Sequence, residues 1–208
     1  MLAKPIEGVT MIPVVTKIEV PAKPFRQKRT YNLKELLWIA GGWMGNGREG
    51  AFSRLPAPPM LMFDRITHIS VKGGNYRKGR IKAEFDLTPD KWFFLCHFLS
   101  DPVMPGCLKL DALWQLTGLF MGWQGLPGLG RAVGVGEVKF SGMVQPTTKK
   151  ITFHVHIKKL RKGAVKMVVA DGFVEADGQV VSEIKDMKVV LFDPEREVID
   201  PNDIVPTS

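Results

Sequence analysis

The sequence predicts an α+β chain in which one antiparallel sheet wraps around one long, buried central helix. Three observations predict it. First, from about Gly106 to Trp123 the chain carries Leu108, Leu110, Ala112, Leu113, Trp114, Leu116, Leu119, Phe120, Met121 and Trp123, apolar on nearly every side, the pattern of an enclosed helix rather than an amphipathic one. Second, everything after that helix reads as strand, with apolar residues at every other position. Third, Asp177-Gly178 stands between two such runs and is a strong hairpin-turn word.

Taken in order, residues 1–30 form an N-terminal extension with Pro5, Pro13, Pro21 and Pro24, a short edge strand over Val15–Val20, and a basic patch at Arg26, Lys28 and Arg29. The main domain is expected over 31–192, followed by a tail over 193–208. Asn32 with Glu35 three residues on reads as a capping box. Leu33, Leu36, Leu37 and Ala40 fill one side of the short helix it opens, and Gly41-Gly42 ends it. Gly45–Gly50 is a loop whose glycine words are too weak for a nucleotide site, and Arg54–Pro59 is a stiff extended entry. Met60–Val71 reads as a strand and Lys72–Asn75 as its turn. Gly79–Leu87 alternates through Ile81, Ala83, Phe85 and Leu87 as a second strand. Asp101-Pro102 and Pro105-Gly106 punctuate a loop, and Pro105 is suited to opening the buried helix, where its missing N–H would have been an orphan. Gly125 and Pro127 stop that helix. Strands follow over Arg131–Phe140, Ile151–Leu160, Val165–Ala176 and Val180–Phe192.

Composition excludes several classes. A chain of 208 residues with 45% hydrophobic content suffices for one cored domain. The formal charge is +8, from 29 basic against 21 acidic residues, which generically suggests nucleic acid. No recognition module and no aromatic–basic interleaving support that reading, so no nucleic acid is expected. The basic residues gather at Lys149-Lys150, Lys158-Lys159, Arg161-Lys162 and Lys166, either a solvated strand surface or a docking patch for an acidic partner. Ala112–Gly130 has no charged residue, yet Gln115, Gln124, Pro127 and several glycines argue for a buried helix and loop over a membrane span. No secretory leader is legible. Two cysteines, Cys96 and Cys107, make no disulfide framework, so a reducing cytoplasm is expected. His154 and His156 share one strand face as half a metal site. No Cys, Glu or Asp stands near them in sequence, so they read as solvent-facing and no metal is expected. His68 reads as an ordinary strand residue.

The chemistry concentrates in residues 96–117. His97 offers an imidazole, the natural base at neutral pH. Asp111 lies one turn inside the apolar helix, where desolvation favours the protonated acid. Gln115, four residues on, shares its helix face and can orient the carboxyl. The backbone N–H groups near Gly106 and Cys107 open the helix, and Gly106 has no side chain to block approach, so they can stabilise an oxyanion or enolate. Singly, a His beside a Cys or a buried Asp reads more often as structural. Together with the Pro-Gly helix start they point to proton abstraction beside a carbonyl, with loss of a hydroxyl.

Long words of the sequence resemble the 3-hydroxydecanoyl-acyl carrier protein dehydratases of bacterial fatty-acid synthesis, the FabA type. They are Leu55-Pro-Ala-Pro58, Met60-Leu-Met62 with Asp64-Arg65, Trp92-Phe-Phe94, Cys96-His-Phe98, Asp101-Pro-Val-Met-Pro-Gly-Cys-Leu108, Leu110-Asp-Ala112, Trp114-Gln-Leu116 and Gly134-Val-Gly-Glu-Val-Lys-Phe140, spread over roughly 30–192. The resemblance implies the hotdog fold and a homodimer whose two active sites each combine His97 of one subunit, as base, with Asp111 of the other, as acid. The related FabZ-type dehydratases carry Glu at the acid position. It implies a (3R)-hydroxyacyl thioester substrate on the phosphopantetheine arm of acidic acyl carrier protein, dehydration to the trans-2-enoyl product, and isomerisation of trans-2- to cis-3-decenoyl, with no cofactor. The reading places Phe98, Val103 and Cys107 with Gly106 and Gln115 around substrate, an acyl tunnel at Phe98, Leu110 and Trp114, and carrier docking at Lys158, Lys159, Arg161 and Lys162. Ser100 and Lys109 depart from the small residues usual there. A dehydratase without isomerase activity and a hotdog acyl-thioesterase are the alternatives.

Overall fold

In the computed structural model, residues 28–42 and 54–192 are described. The Val15–Val20 edge strand, the 45–50 loop and the 193–208 tail lie outside these residues.

Helix α1 (Leu33–Ala40) starts on the expected capping box: the Asn32 side chain accepts from the Glu35 N–H at 3.0 Å, and the Glu35 carboxylate accepts from the Asn32 N–H at 3.1 Å. Its inward stripe differs from the expected one. Leu36 and Ile39 are buried, while Leu33 and Leu37 face outward, because two turns of helix have room for one three-residue step against the domain. Tyr31 bridges to Ile66 and ties α1 to the sheet.

Seven strands follow: β1 (Arg65–Ser70), β2 (Arg80–Asp86), β3 (Leu129–Gly134), β4 (Glu137–Phe140), β5 (Lys150–Lys162), β6 (Lys166–Ala176) and β7 (Gln179–Phe192). They form one antiparallel sheet in the order β1-β2-β5-β6-β7-β3, with β4 also on β7. The β6–β7 turn sits at Asp177-Gly178, both with positive φ, as that dipeptide predicts.

Two expected strands change. Met60–Val71 enters the ladder only at Arg65. Leu61, Met62 and Phe63 are buried without being strand, since a short apolar run specifies burial more firmly than conformation. Arg131–Phe140 is two strands. β3 pairs with Lys188–Phe192 and β4 with Ser182–Lys185 of β7, and at the joint Gly136 N–H donates to Lys185 O at 3.0 Å.

The second helix, α2 (Gly106–Trp123), packs against β2, β3, β5, β6 and β7. Ala112, Leu113, Leu116, Leu119, Phe120 and Met121 are buried in the shared core. Gly172 of β6 lets α2 sit close, since a Cβ there would lie 3.2 Å from Leu113 and 2.7 Å from the His154 carbonyl. The helix is not enclosed all round, however. Leu110, Asp111, Trp114 and Gln115 form a half-buried strip along one side. No helix among the described residues is long and apolar enough to cross a membrane.

Candidate active site

His97 sits on a loop anchored by the buried Phe93 and Phe94. Its N–H donates to Phe93 O at 2.9 Å, and its carbonyl accepts from the Val103 N–H at 2.8 Å. Its ring Nδ1 lies 2.9 Å from Val103 O. A carbonyl only accepts, so Nδ1 carries the proton and Nε2 keeps its lone pair. Val103, expected beside substrate, therefore orients the base through its backbone. The ring stacks on Phe98 with centroids 4.1 Å apart, across a cis His97–Phe98 peptide. Phe98 is 57% exposed and Leu99 88%.

Asp111 is half-buried and lines a cavity of about 300 Å³ with Met60, Trp114 and Gln115. Gln115 fixes the carboxyl. Its Oε1 accepts from Met62 N–H at 3.3 Å, and its Nε2 donates to Met60 O at 2.7 Å and to Asp111 Oδ2 at 2.6 Å. The two backbone partners determine which way the amide faces, so Oδ2 must be an acceptor. A proton on this carboxyl belongs on Oδ1, for which the described residues supply no hydrogen-bond partner. Sequence reasoning found Gln115 but missed Met60 and Met62, which act through main chain and leave no side-chain signature. It also missed Arg54, a cation in the same cavity wall.

At the helix start, Gly106 N–H donates to no backbone carbonyl among the described residues. A Cβ at 106 would lie 2.9 Å from two ring carbons of Phe140, so this glycine keeps the Phe140 ring over the helix end. Lys109 is only 2% exposed. Its Nζ donates to Gly142 O at 3.1 Å and lies 5.2 Å from the Phe140 ring centroid, and burial lowers its pKa. Cys96 and Cys107 are free and exposed.

His97 and Asp111 do not meet within one chain. No hydrogen bond joins them, and His97 is absent from the wall of the Asp111 cavity. Trp114 lines that cavity, whereas Phe98 is stacked on His97, so the expected acyl-tunnel residues are also divided. The expected docking residues divide similarly. Lys158 is ion-paired to Asp186 at 2.7 Å and Lys162 reaches Gln124 at 3.4 Å, while Lys159 and Arg161 are exposed without an ion pair among the described residues.

Residues 55–185 match the family model described as FabA-like domain. Among solved structures, a chain of "The Dehydratase Heterocomplex ApeI:P" from Xenorhabdus doucetiae aligns with a TM-score of 0.52 and 13% identity, over 66% of this chain and 87% of that one. A hypothetical thioesterase protein with coenzyme A from Streptococcus pneumoniae aligns at TM-score 0.43 and 9% identity, over 61% of this chain and 84% of that one. The first likeness, at that identity, speaks to fold alone: an antiparallel sheet with a helix packed on it, consistent with the hotdog fold.

Proposed function

The chain belongs to the FabA-like domain family, and from that premise we propose that it is a (3R)-hydroxyacyl-acyl carrier protein dehydratase of fatty-acid biosynthesis, acting in the cytoplasm as a homodimer. The observation that carries the reading is the pair of fixed orientations: a His97 ring held at Nδ1 by Val103 O, and an Asp111 carboxyl held at Oδ2 by Gln115.

His97 Nε2 removes a proton from C2 of the acyl thioester. The C2 electron pair forms the C2–C3 double bond as the C3–O bond breaks, and the departing oxygen takes the proton of Asp111 and leaves as water. The thioester carbonyl, which carries negative charge in between, faces the Gly106 N–H at the start of α2. A positioned acid–base pair of this kind is worth roughly 10²–10⁴-fold in rate. For the isomerisation, His97 takes a proton from C4 of the trans-2-enoyl chain and returns it at C2, which moves the double bond to C3. The 31–192 domain carries all of this chemistry.

The division of His97 from Asp111 within one chain supports a composite site built by two subunits. The exposed Phe98 and Leu99 then become the surface that the partner covers. Lys159 and Arg161, exposed and unpaired among the described residues, are the docking contacts for acidic carrier protein, with Lys158 and Lys162 behind them.

Incubation with 3-hydroxydecanoyl thioester on carrier protein, followed by mass-resolved chromatography of the acyl products, tests the reading. Both trans-2- and cis-3-decenoyl products are expected. The trans-2 product alone would remove the isomerase, and free acid would assign thioester hydrolysis instead.

A further inference from the structure

The sheet has a second face with chemistry of its own. On β2, Ile81, Ala83 and Phe85 point to the core, so Arg80 and Lys82 point away from it; on β5, Phe153, Val155 and Ile157 point inward, so His154 and His156 point away. Cross-strand register sets Lys82 opposite His154 and Arg80 opposite His156, and His68 arrives from β1 opposite Lys82. These five side chains line a cavity of about 480 Å³ that shares no residue with the Asp111 cavity. Three of the chain's four histidines converge there from positions up to 88 residues apart, 68 to 156, which no local motif could reveal.

The charge balance of this cavity is lopsided. No carboxylate lines it. Arg80 and Lys82 have no ion pair among the described residues. Glu175 touches the site only through His154, whose Nε2 it accepts from at 3.1 Å, and the other nearby acids are engaged elsewhere: Asp171 takes the Tyr76 hydroxyl and the Asp186 N–H, and Glu84 is bridged to Arg65 and Lys150. The imidazoles are held below their ordinary pKa, first by desolvation and further by neighbouring groups: His154 acts on His156, Arg80 on all three, Lys82 on His154 and Arg29 on His68. Glu175 opposes this at His154 and Asp171 at His156. His68 Nε2 has no hydrogen-bond partner. His154 stacks on Phe173 at 4.2 Å between centroids with planes 7° apart, which makes one wall rigid. His156 Nδ1 accepts from Asn75 N–H at 2.9 Å, so its proton is on Nε2 and available as a donor.

We propose that this outer-face cavity binds the phosphate group of a small molecule, held by Arg80 and Lys82 with imidazole N–H donors around it. Two uncompensated cations match a phosphate dianion better than a carboxylate. The site is separate from the proposed thioester chemistry and does not rest on it. Neutralising the two cations removes the repulsion that keeps the imidazoles unprotonated. Bound phosphate therefore raises the pKa of His68, His154 and His156.

Titration of the full chain with inorganic phosphate, followed through the histidine ring signals by NMR at constant ionic strength, tests this. The expected result is saturable shifts of three histidines with His97 unmoved, a raised pKa for each of the three, and at least a tenfold weaker affinity in Arg80→Gln and in Lys82→Gln with unchanged turnover of acyl thioester. Either variant alone suffices if the other fails to fold. Absence of saturation overturns the proposal, as do equal shifts with acetate or chloride or wild-type affinity in a folded variant.

Discussion

Val103 O holds the His97 ring by Nδ1 and the Gln115 side chain holds Asp111 by Oδ2, and the residue-scale predictions follow from these contacts. In the proposed mechanism His97→Ala removes the base, and Asp111→Asn replaces the acid by an amide of the same shape. Each is expected to lower turnover by roughly 10²-fold or more with an unchanged circular dichroism spectrum; near-wild-type turnover in a folded variant refutes that residue's role. Gln115→Ala leaves Met62 N–H and Met60 O short of a partner, so it is expected to cost about 1–3 kcal/mol in denaturant unfolding as well as turnover. Lys109 is a buried cation with a carbonyl and a ring for company. Lys109→Met, of similar length, is expected to raise stability by about 1–2 kcal/mol; a loss of stability would mean that the Gly142 contact outweighs desolvation. Lys159→Glu is expected to weaken use of carrier-bound substrate more than use of a small thioester mimic, and equal effects would contradict docking there. The contact of Gln115 with Asp111 was legible because it follows from side-chain type and four-residue helix spacing within one short stretch. Val103, Met60 and Met62 were not, because what they contribute is main chain.

Among the elements, β6 shows how close packing constrains sequence. Gly172 lies between α2 and the β5 backbone, and an added Cβ would meet the His154 carbonyl at 2.7 Å and the Met187 methyl at 3.1 Å. Gly172→Ala is expected to lower unfolding free energy by about 1–3 kcal/mol, read as an earlier denaturant midpoint; an unchanged midpoint would mean that the helix shifts freely on the sheet. The strands of the second half and the Asp177-Gly178 hairpin were legible from alternation and one turn word. The break between β3 and β4 was not, because both pieces pair with the same strand and nothing in Val135-Gly136 alone marks where β7 changes register. The Leu61–Phe63 segment misled for a related reason: it is apolar because it is buried, not because it joins the ladder.

For the molecule as a whole, the antiparallel sheet with its helix was legible, since a helix that is apolar on most sides demands a sheet to cover it. The outer-face cavity was not, because four strands must be in register before its residues meet. The central claim is that the chemistry needs His97 of one subunit and Asp111 of another, and mixing two inactive variants tests it most directly. His97→Ala and Asp111→Asn chains, unfolded together at equal concentration and refolded, should form heterodimers in half of the molecules. One of the two sites in each heterodimer pairs an intact His97 with an intact Asp111, so about one quarter of wild-type dehydratase turnover should return. Recovery near that level, with neither variant active alone, is the predicted result. A refolded mixture as inactive as its components would contradict the composite site.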